Sequence, residues 1–173
     1  MYGMFFKCKL LKSLDLNNFD TSKVTDMRSM FNGCSSLTFL NLNNFKTSLV
    51  NNMVFMFKNT HSLTSLDLHN FDTSSVANMT QMFYQCFNLT TLNLNNFDTS
   101  KVISMNEMFY NCSSLISLDL KNFKTTSVID ISYMFYNCIS LIYINLCSFI
   151  EKRKINVTMI FENTSNDLIF LHK

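Results

Sequence analysis

The chain has 173 residues, of which 47% are hydrophobic and 15% are charged, and its formal net charge is +2. This length is sufficient for one domain with a sizeable core, and the composition excludes a disordered acidic or basic tail. The net charge is too small for the clustered Lys and Arg of a nucleic-acid-binding face, and no apolar run reaches the ~18–20 residues of a membrane span.

Residues 1–13 are predicted to form a partial N-terminal repeat. Their Met-Phe pair matches one that recurs along the chain, and Met1 aligns with Met27 in the middle of the next unit. Lys7 and Lys9 interrupt the apolar start, so the segment lacks the ordered basic, apolar and cleavage regions of a signal peptide. The start in mid-repeat suggests a piece of a longer protein or an incomplete gene product.

Residues 14–146 consist of a 26-residue unit that repeats without a slip in register. A unit this small cannot bury its apolar face alone, so stacked copies must bury it against one another. The period therefore predicts a repeat solenoid in which six short strands form one parallel sheet. The columns that define the unit are Leu14, Leu40, Leu66, Leu92, Leu118 and Ile144; Leu16, Leu42, Leu68, Leu94, Leu120 and Leu146; and Phe19, Phe45, Phe71, Phe97, Phe123 and Phe149.

The first half of each unit alternates apolar and polar residues with a period of two, which is typical of a short strand with one buried face. By strand parity, a recurring asparagine points inward. Because a buried amide needs hydrogen-bond partners, we expect these side chains to form an internal ladder that bonds to turn backbone. The column comprises Asn18, Asn44, Asn70, Asn96 and Asn122.

The second half of each unit has a helical stripe of apolar residues, as in Val24, Met27, Met30 and Phe31, and predicts a helix of two to three turns. An Asp-Thr-Ser segment precedes the stripe and is typical of an N-cap, because these side chains accept hydrogen bonds from first-turn amides. The residue after the stripe tolerates the left-handed conformation that ends a helix. It is Gly33, Asn59, Asn111, Asn137 or Asn163.

Residues 147–173 are predicted to form a degenerate C-terminal repeat or cap. Cys147, Ser148 and Ile150 replace the usual residues of the unit, as expected at the end of a solenoid, where the core must be capped. The segment also contains the one dense basic run of the chain, at residues 152–154, which is typical of a solvated loop.

The whole unit, Leu-Asp-Leu-x-Asn-Phe-Asp-Thr-Ser-x-Val-x-x-Met-x-x-Met-Phe-x-x-Cys-x-x-Leu, resembles the BspA-like leucine-rich repeats of bacterial and protist surface proteins over residues 4–146. The chain departs from the general leucine-rich-repeat motif, since Phe stands at the usual Asn position and Asn lies one position earlier. The resemblance implies an α/β repeat solenoid: a right-handed coil with a parallel β-sheet on one face and short helices on the other. It also implies a secreted or cell-surface adhesin that binds host matrix or serum proteins.

Five of the six cysteines occupy one column of the repeat, and Thr60 and Thr164 stand at the same place. Their 26-residue period differs from the spacing of metal ligands and predicts buried free thiols. Cys147 is instead expected on the exposed side of the sixth strand, where it could react. The column comprises Cys8, Cys34, Cys86, Cys112 and Cys138.

The sequence shows no recognisable combination of catalytic residues. The three histidines have no partner at metal-ligand spacing, and no nucleophile, base and orienting group can be recognised together. We therefore predict no enzyme activity and no cofactor. On the strands Asp15, Asp67 and Asp119 alternate with asparagines, which relieves like-charge repulsion, and a weak calcium site on this ladder is a further possibility.

The positions that flank the leucines of each strand vary and face outward, so they are free to carry specificity. Phe39 and Tyr143 are candidate anchors, because aromatic side chains are enriched in interfaces; isolated surface apolar residues are the alternative. His69 is expected on this face beside Asp67. The predicted protein-binding residues are Phe39, Asn41, Asn43, Asp67, His69, Asn93, Asn95, Asp119, Lys121 and Tyr143.

The predicted function is therefore a protein-binding module, which the resemblance places in a cell-surface adhesin. Two alternatives stay open. An intracellular scaffold could use the same face and would fit the missing signal peptide and the free thiols, which favour a cytoplasmic location. A structural spacer would have no ligand of its own.

Overall fold

A computed structural model describes residues 1–149 and 154–171, so residues 150–153 and 172–173 of the predicted cap lie outside the described residues. Within that part the chain forms five strands of three residues each: β1 (Ser65–Asp67), β2 (Thr91–Asn93), β3 (Ser117–Asp119), β4 (Tyr143–Asn145) and β5 (Ile169–Leu171). Every pairing is parallel and joins residues 26 apart, as Leu66 with Leu92. The predicted parallel pairing of one repeat with the next is confirmed.

The predicted single sheet of six strands is wrong. β1 pairs with β2, and β3, β4 and β5 form a separate sheet. Leu16, Leu40 and Leu42 are buried like the leucines of the later repeats, but the described strands begin only at residue 65. At the other end, β5 lies in the segment predicted to be a cap and pairs with β4 in the same register.

The second half of each repeat consists of turns, so the predicted helices are wrong. From Met27 to Gly33, every second backbone N–H donates to a carbonyl 25 residues later; for example, Phe31 donates to Met56 over 2.9 Å. The amides between them bond locally, as Met30 does to the Met27 carbonyl over 3.3 Å. An α-helix needs these amides for bonds to residue i−4, and here the neighbouring repeat takes half of them. We call residues 27–33 and their equivalents in the other repeats the turn ladder.

None of the described residues forms a helix that could cross a membrane.

Left-handed residues occur twice in each turn ladder. Ser29 (φ 53°) and Gly33 (φ 80°) are the third residues of two turns closed by hydrogen bonds between residues i+3 and i, where a type II turn requires a positive φ. The predicted left-handed conformation is confirmed at Gly33, Asn59, Asn111, Asn137 and Asn163. It shapes turns, however, and does not end helices.

The core is a set of columns in which each residue packs on its own equivalent. The phenylalanines of the Met-Phe pairs stack from Phe5 to Phe161, with ring centroids 5.2–5.6 Å apart and planes within 10° of parallel. Offset aromatic pairs contribute about 0.5–1.5 kcal/mol each beyond burial. The stack therefore stabilises contacts between repeats more than the fold of any one repeat.

A column of buried threonines also joins the repeats. The Thr73 hydroxyl donates to the Asp98 carbonyl (3.0 Å) and accepts from the Asp98 N–H (2.8 Å). Thr21, Thr47 and Thr99 make the same pair of bonds to the residue 25 positions later. The N-cap interpretation of these threonines is wrong, because no helix follows and the hydroxyl bonds to the next repeat.

The asparagine column lies at the surface. Asn44 is exposed, and its Nδ2 donates to the carbonyls of Leu16 (2.9 Å) and Asn17 (3.2 Å) in the preceding repeat. Asn70 bonds in the same way to the carbonyl of Leu42 over 3.0 Å. The predicted bonding to turn backbone is therefore confirmed, but the predicted inward orientation is wrong: four of the five side chains, at residues 18, 44, 96 and 122, are exposed.

Candidate binding face

The outward residues of the strands, the turn residues that follow them and their equivalents in the earlier repeats form one surface, which we call the strand face. In β1, Ser65 and Asp67 are exposed on either side of Leu66, which is only 3% exposed. All ten predicted binding residues lie at least partly at the surface. Seven are exposed (Phe39, Asn41, Asn43, Asp67, His69, Asn95 and Lys121), and three are half-buried (Asn93, Asp119 and Tyr143).

The pairing register sets acids beside amides on this face. Asp67 pairs with Asn93 between β1 and β2, and Asp119 pairs with Asn145 between β3 and β4. Like charges directly opposite each other are destabilising, and the register keeps a neutral residue next to each of these carboxylates. The predicted alternation is confirmed on the described strands.

The Asp and Asn residues that end the strands have a structural role that the sequence analysis missed. Each side-chain oxygen accepts a hydrogen bond from the N–H two residues later, as Asn41 does from Asn43 (3.0 Å) and Asn93 does from Asn95 (3.2 Å). Such Asx turns explain why only Asp and Asn occur at this position in residues 15–145. The recurrence of Asp or Asn at this position, two residues before the turn, was visible in the sequence and could have predicted these Asx turns.

Two contacts between an acid and a basic side chain lie on the strand face. His69 Nδ1 is 3.0 Å from Asp67 Oδ2, as expected from the sequence, and Lys121 Nζ is 3.3 Å from Asp119 Oδ2. Partial desolvation raises the pKa of Asp67, but hydrogen bonds from the His69 backbone and imidazole outweigh it and hold that pKa below its ordinary value. The two acids thus have local partners, and a ligand would meet carboxylates that already contact a neighbouring side chain.

Shallow grooves run across the face. One has a volume of about 430 Å³ and is lined by Ser65, Asp67, Thr91, Asn93 and Asp119 among others. A second, of about 280 Å³, lies between the first two repeats and is bordered by Asp15, Asn17, Phe39 and Asn41. Both are open, and their linings mix polar and apolar groups about equally. An open groove suits contact with a protein surface better than enclosure of a small molecule.

The two candidate aromatic anchors are not brought together. Phe39 is 63% exposed beside the smaller groove, whereas Tyr143 is half-buried at the start of β4. Four repeats separate them, or roughly 19 Å at the spacing of parallel strands. A ligand that touched both would have to span most of the face.

The cysteine column is buried, as predicted, except at its first member. Cys34, Cys86, Cys112 and Cys138 are 0% exposed, whereas Cys8 is exposed. Cys138 donates its thiol hydrogen to the Phe109 carbonyl over 3.1 Å, and burial raises its pKa to about 12. Burial likewise raises the pKa of Cys34 to about 11. Cys147 is only half-buried, so its predicted exposure is partly met.

No metal site is assembled in the described residues: within 1–149 and 154–171, no group of three His, Cys, Asp or Glu is placed to hold an ion. On the strand face, the acids Asp67 and Asp119 are two repeats apart and each contacts a cationic or ionisable partner. This arrangement does not favour the weak calcium site on the Asp/Asn ladder.

A row of tyrosines on the turn ladder escaped the sequence analysis. Tyr84, Tyr110 and Tyr136 stack with centroids 4.8 and 4.9 Å apart, and all three are half-buried. The Lys58 ammonium lies 4.4 Å from the centroid of Tyr84 and ends the row. Their identical position in three successive units was visible in the sequence, where it could have indicated a surface stack.

Comparison with known proteins identifies a family. A family model described as "Mycoplasma protein of unknown function, DUF285" matches residues 1–113 and again residues 64–168. The two matches overlap, as expected for a model that can align with a periodic chain in more than one register. The curated proteins and the solved structures contain no match to the chain.

Proposed function

We propose that this chain, which belongs to the DUF285 family of Mycoplasma proteins of unknown function, is a protein-binding module that holds its ligand on the strand face. We also propose that its repeats form a right-handed leucine-rich-repeat solenoid of the BspA-like type. The leucine columns and the parallel register of 26 residues support this fold, although short turns take the place of helices.

The observation that carries the proposal is the way the polar side chains of the face are held. Asn41, Asp67, Asn93 and Asp119 each accept a backbone hydrogen bond two residues on, so their rotamers are restricted before a ligand arrives. Immobilising a free side chain on binding costs about 0.5–1.5 kcal/mol. A face whose polar groups are already ordered avoids much of that cost, and the exposed ring of Phe39 adds an apolar anchor.

A cell-surface adhesin is the biological setting that we propose, with host matrix or serum proteins as ligands. The support is the resemblance of the repeat unit to BspA-like surface proteins. An intracellular scaffold would use the same face for a different protein, and a spacer would not use it at all. Binding measurements on the strand face separate the spacer from the other two roles.

The direct test is surface plasmon resonance of the 173-residue chain over immobilised matrix and serum proteins. A double variant, Phe39→Ser with Tyr143→Ser, removes both aromatic groups from the strand face. The matched control, Leu49→Ser with Ile129→Ser, removes two apolar groups that are 53% and 56% exposed elsewhere on the surface. Circular dichroism and thermal unfolding establish that each variant retains the fold.

We expect saturable binding by the wild type and by the control, and weakening of about tenfold or more in the face variant, since an interfacial aromatic anchor contributes 2 kcal/mol or more. A face variant that binds as tightly as the wild type would place the ligand on another surface. Failure of the wild type to bind any of these proteins would refute the adhesin role for this chain.

A further inference from the structure

A gap on the flank of the repeat array, away from the strand face, lies where two small residues interrupt two side-chain columns. Gly33 and Ser35 form its floor, because residues with longer side chains stand at the same two positions in the repeats on either side. The gap has a volume of about 360 Å³ and is more enclosed than either groove of the strand face. We call it the flank notch. It is lined by Lys7, Lys9, Asn32, Gly33, Ser35, Asn59, His61 and Gln85.

The flank notch is electropositive. Its lining contains two lysines and no acid, and neither Lys7 nor Lys9 has an ion-pair partner within residues 1–149 and 154–171. The Lys7 ammonium lies 5.0 Å from the centroid of the Phe6 ring, a contact that leaves its charge in place. Burial lowers the pKa of His61, so this ring is neutral near pH 7. The charge of the notch therefore comes from its two lysines.

An asparagine in the flank notch lacks the hydrogen bonds that its column has elsewhere. Near the other end of this column, Asn137 Nδ2 donates to the Oδ1 of Asn111 one repeat earlier. Asn59 stands between Gly33, which has no side chain to accept from it, and Gln85, which does not donate to it. As a result, Asn59 Oδ1 is buried and has no hydrogen-bond partner among the described residues.

The imidazole of His61 is unsatisfied in the same notch. Its ring packs on Phe87 with centroids 4.7 Å apart, and its Nε2 is buried without a partner. Of the three such side-chain atoms within residues 1–149 and 154–171, two therefore belong to the flank notch. Buried polar atoms are normally paired. Rotation about χ2 exchanges the donor and the acceptor of the Asn59 amide, and no hydrogen bond opposes that rotation, so the side chain can turn its donor to a ligand.

This set of groups suits a phosphate better than a carboxylate. Ammonium, amide and hydroxyl donors surround the notch on several sides, as the oxygens of a tetrahedral anion require. The lining has no arginine, whose planar fork matches a carboxylate, whereas lysine binds phosphate as a point charge. A phosphate monoester carries a charge of about −1.5 to −2 at pH 7, which the two lysines balance.

The size and the walls of the notch favour an organic phosphate over the free ion. Sites for small molecules have volumes of roughly 300–1,000 Å³, and the flank notch falls in this range. More of its lining surface is apolar than polar. That surface can contact a carbon skeleton while the polar groups bind the phosphate.

We propose that the flank notch binds a small phosphate monoester, with the phosphate group held between the ammonium groups of Lys7 and Lys9 and the amide of Asn59. Asn32 and Ser35 donate to the remaining phosphate oxygens, and the organic part of the ligand lies against the His61 ring. The notch is separate from the strand face, so this site does not rest on the proposed protein-binding function, and either can fail without the other.

Isothermal titration calorimetry of the 173-residue chain with glycerol phosphate is the first experiment, with inorganic phosphate and glycerol as comparison ligands. Ser35→Phe fills the notch with the residue that the same column carries at Phe87. Ser113→Phe is its matched control: it makes the same change in that column outside the notch, and both serines donate to a carbonyl one repeat earlier. Circular dichroism establishes that each variant is folded.

A second pair of variants tests the charge. Lys9→Gln removes one ammonium from the notch, and Lys12→Gln removes one from an exposed lysine that does not line it. We expect Lys9→Gln to weaken the binding of glycerol phosphate by about tenfold or more, the effect of losing one hydrogen bond to a charged group. Lys12→Gln should bind like the wild type.

We expect saturable binding of glycerol phosphate by the wild type and by Ser113→Phe, weaker binding of inorganic phosphate, no binding of glycerol, and no binding of any of the three by Ser35→Phe. A folded wild type that does not bind glycerol phosphate overturns the proposal. So does a Ser35→Phe protein that binds as tightly as the wild type. Inorganic phosphate that binds at least as tightly as the ester would show that the ion alone is recognised and would overturn the monoester assignment.

Nuclear magnetic resonance of the isotope-labelled wild type locates the ligand without a variant. Saturating glycerol phosphate should move the side-chain amide signal of Asn59 and the ring signals of His61. The side-chain amide signals of Asn41 and Asn93, on the strand face, should stay in place. Shifts confined to the strand face would place the phosphate there and overturn the flank site.

Discussion

Replacing Thr73 with Val tests whether buried hydroxyls hold the repeats together. Thr73 is 0% exposed, and its hydroxyl makes two bonds to the backbone of Asp98 in the next repeat. Valine has nearly the same shape, so the change removes both bonds and leaves a backbone N–H and a carbonyl without these partners. At about 1–1.5 kcal/mol for each lost bond, we expect the free energy of unfolding to fall by about 2–3 kcal/mol.

Urea denaturation followed by circular dichroism measures this loss, provided that the slope of the transition is unchanged. Thr73→Ser keeps the hydroxyl and should cost about 1 kcal/mol or less, close to the value of a lost methyl group. Thr64→Val makes the same chemical change at an exposed threonine and should stay within about 0.5 kcal/mol of the wild type. A Thr73→Val protein as stable as the Thr64→Val control would refute the reasoning.

Three further predictions concern the core, the thiols and the turns. Phe83→Ala opens the phenylalanine stack at a side chain that is 0% exposed and should cost about 3–5 kcal/mol in urea denaturation; a loss below 1 kcal/mol would contradict the role of the stack. At pH 8 a thiol reagent should modify Cys8 and Cys147 in the native protein but not Cys138, whose pKa of about 12 keeps it protonated; rapid native modification at Cys138, read by mass spectrometry, would show that the column is accessible. Gln85 has a φ of 57°, so Gln85→Gly should raise the unfolding free energy by about 0.5–1 kcal/mol, whereas Gln85→Val should lower it; the opposite order in thermal unfolding would mean that this turn is not strained.

The candidate site was predictable from the sequence to the extent that it follows strand parity. The ten residues predicted from alternation around the leucines all lie at least partly at the surface, because a strand residue beside a buried leucine must point the other way. The sequence analysis did not anticipate that Asn41 and its equivalents bond to the following turn. That role depends on a backbone path which strand parity does not describe.

The helices were mispredicted for a definite physical reason. The stripe Val24, Met27, Met30 and Phe31 has helical spacing, and a series of tight turns can bury the same positions. Spacing reports which side chains are buried but not which carbonyl receives each N–H. Here Phe31 N–H finds the Met56 carbonyl in the next repeat, a long-range choice that local periodicity cannot reveal.

The sequence by itself determined the repeat length, the register and the buried columns. It also determined the left-handed positions occupied by Gly33, Asn59 and their equivalents. Each of these follows from the identity of residues 26 apart or from the conformational range of a single residue. Only the tertiary structure decided that half of the turn-ladder amides donate to the neighbouring repeat, and that the Thr73 hydroxyl bonds to the backbone of Asp98. These features arise because a hydrogen bond between repeats has a direction, and that direction is set by how one repeat lies on the next.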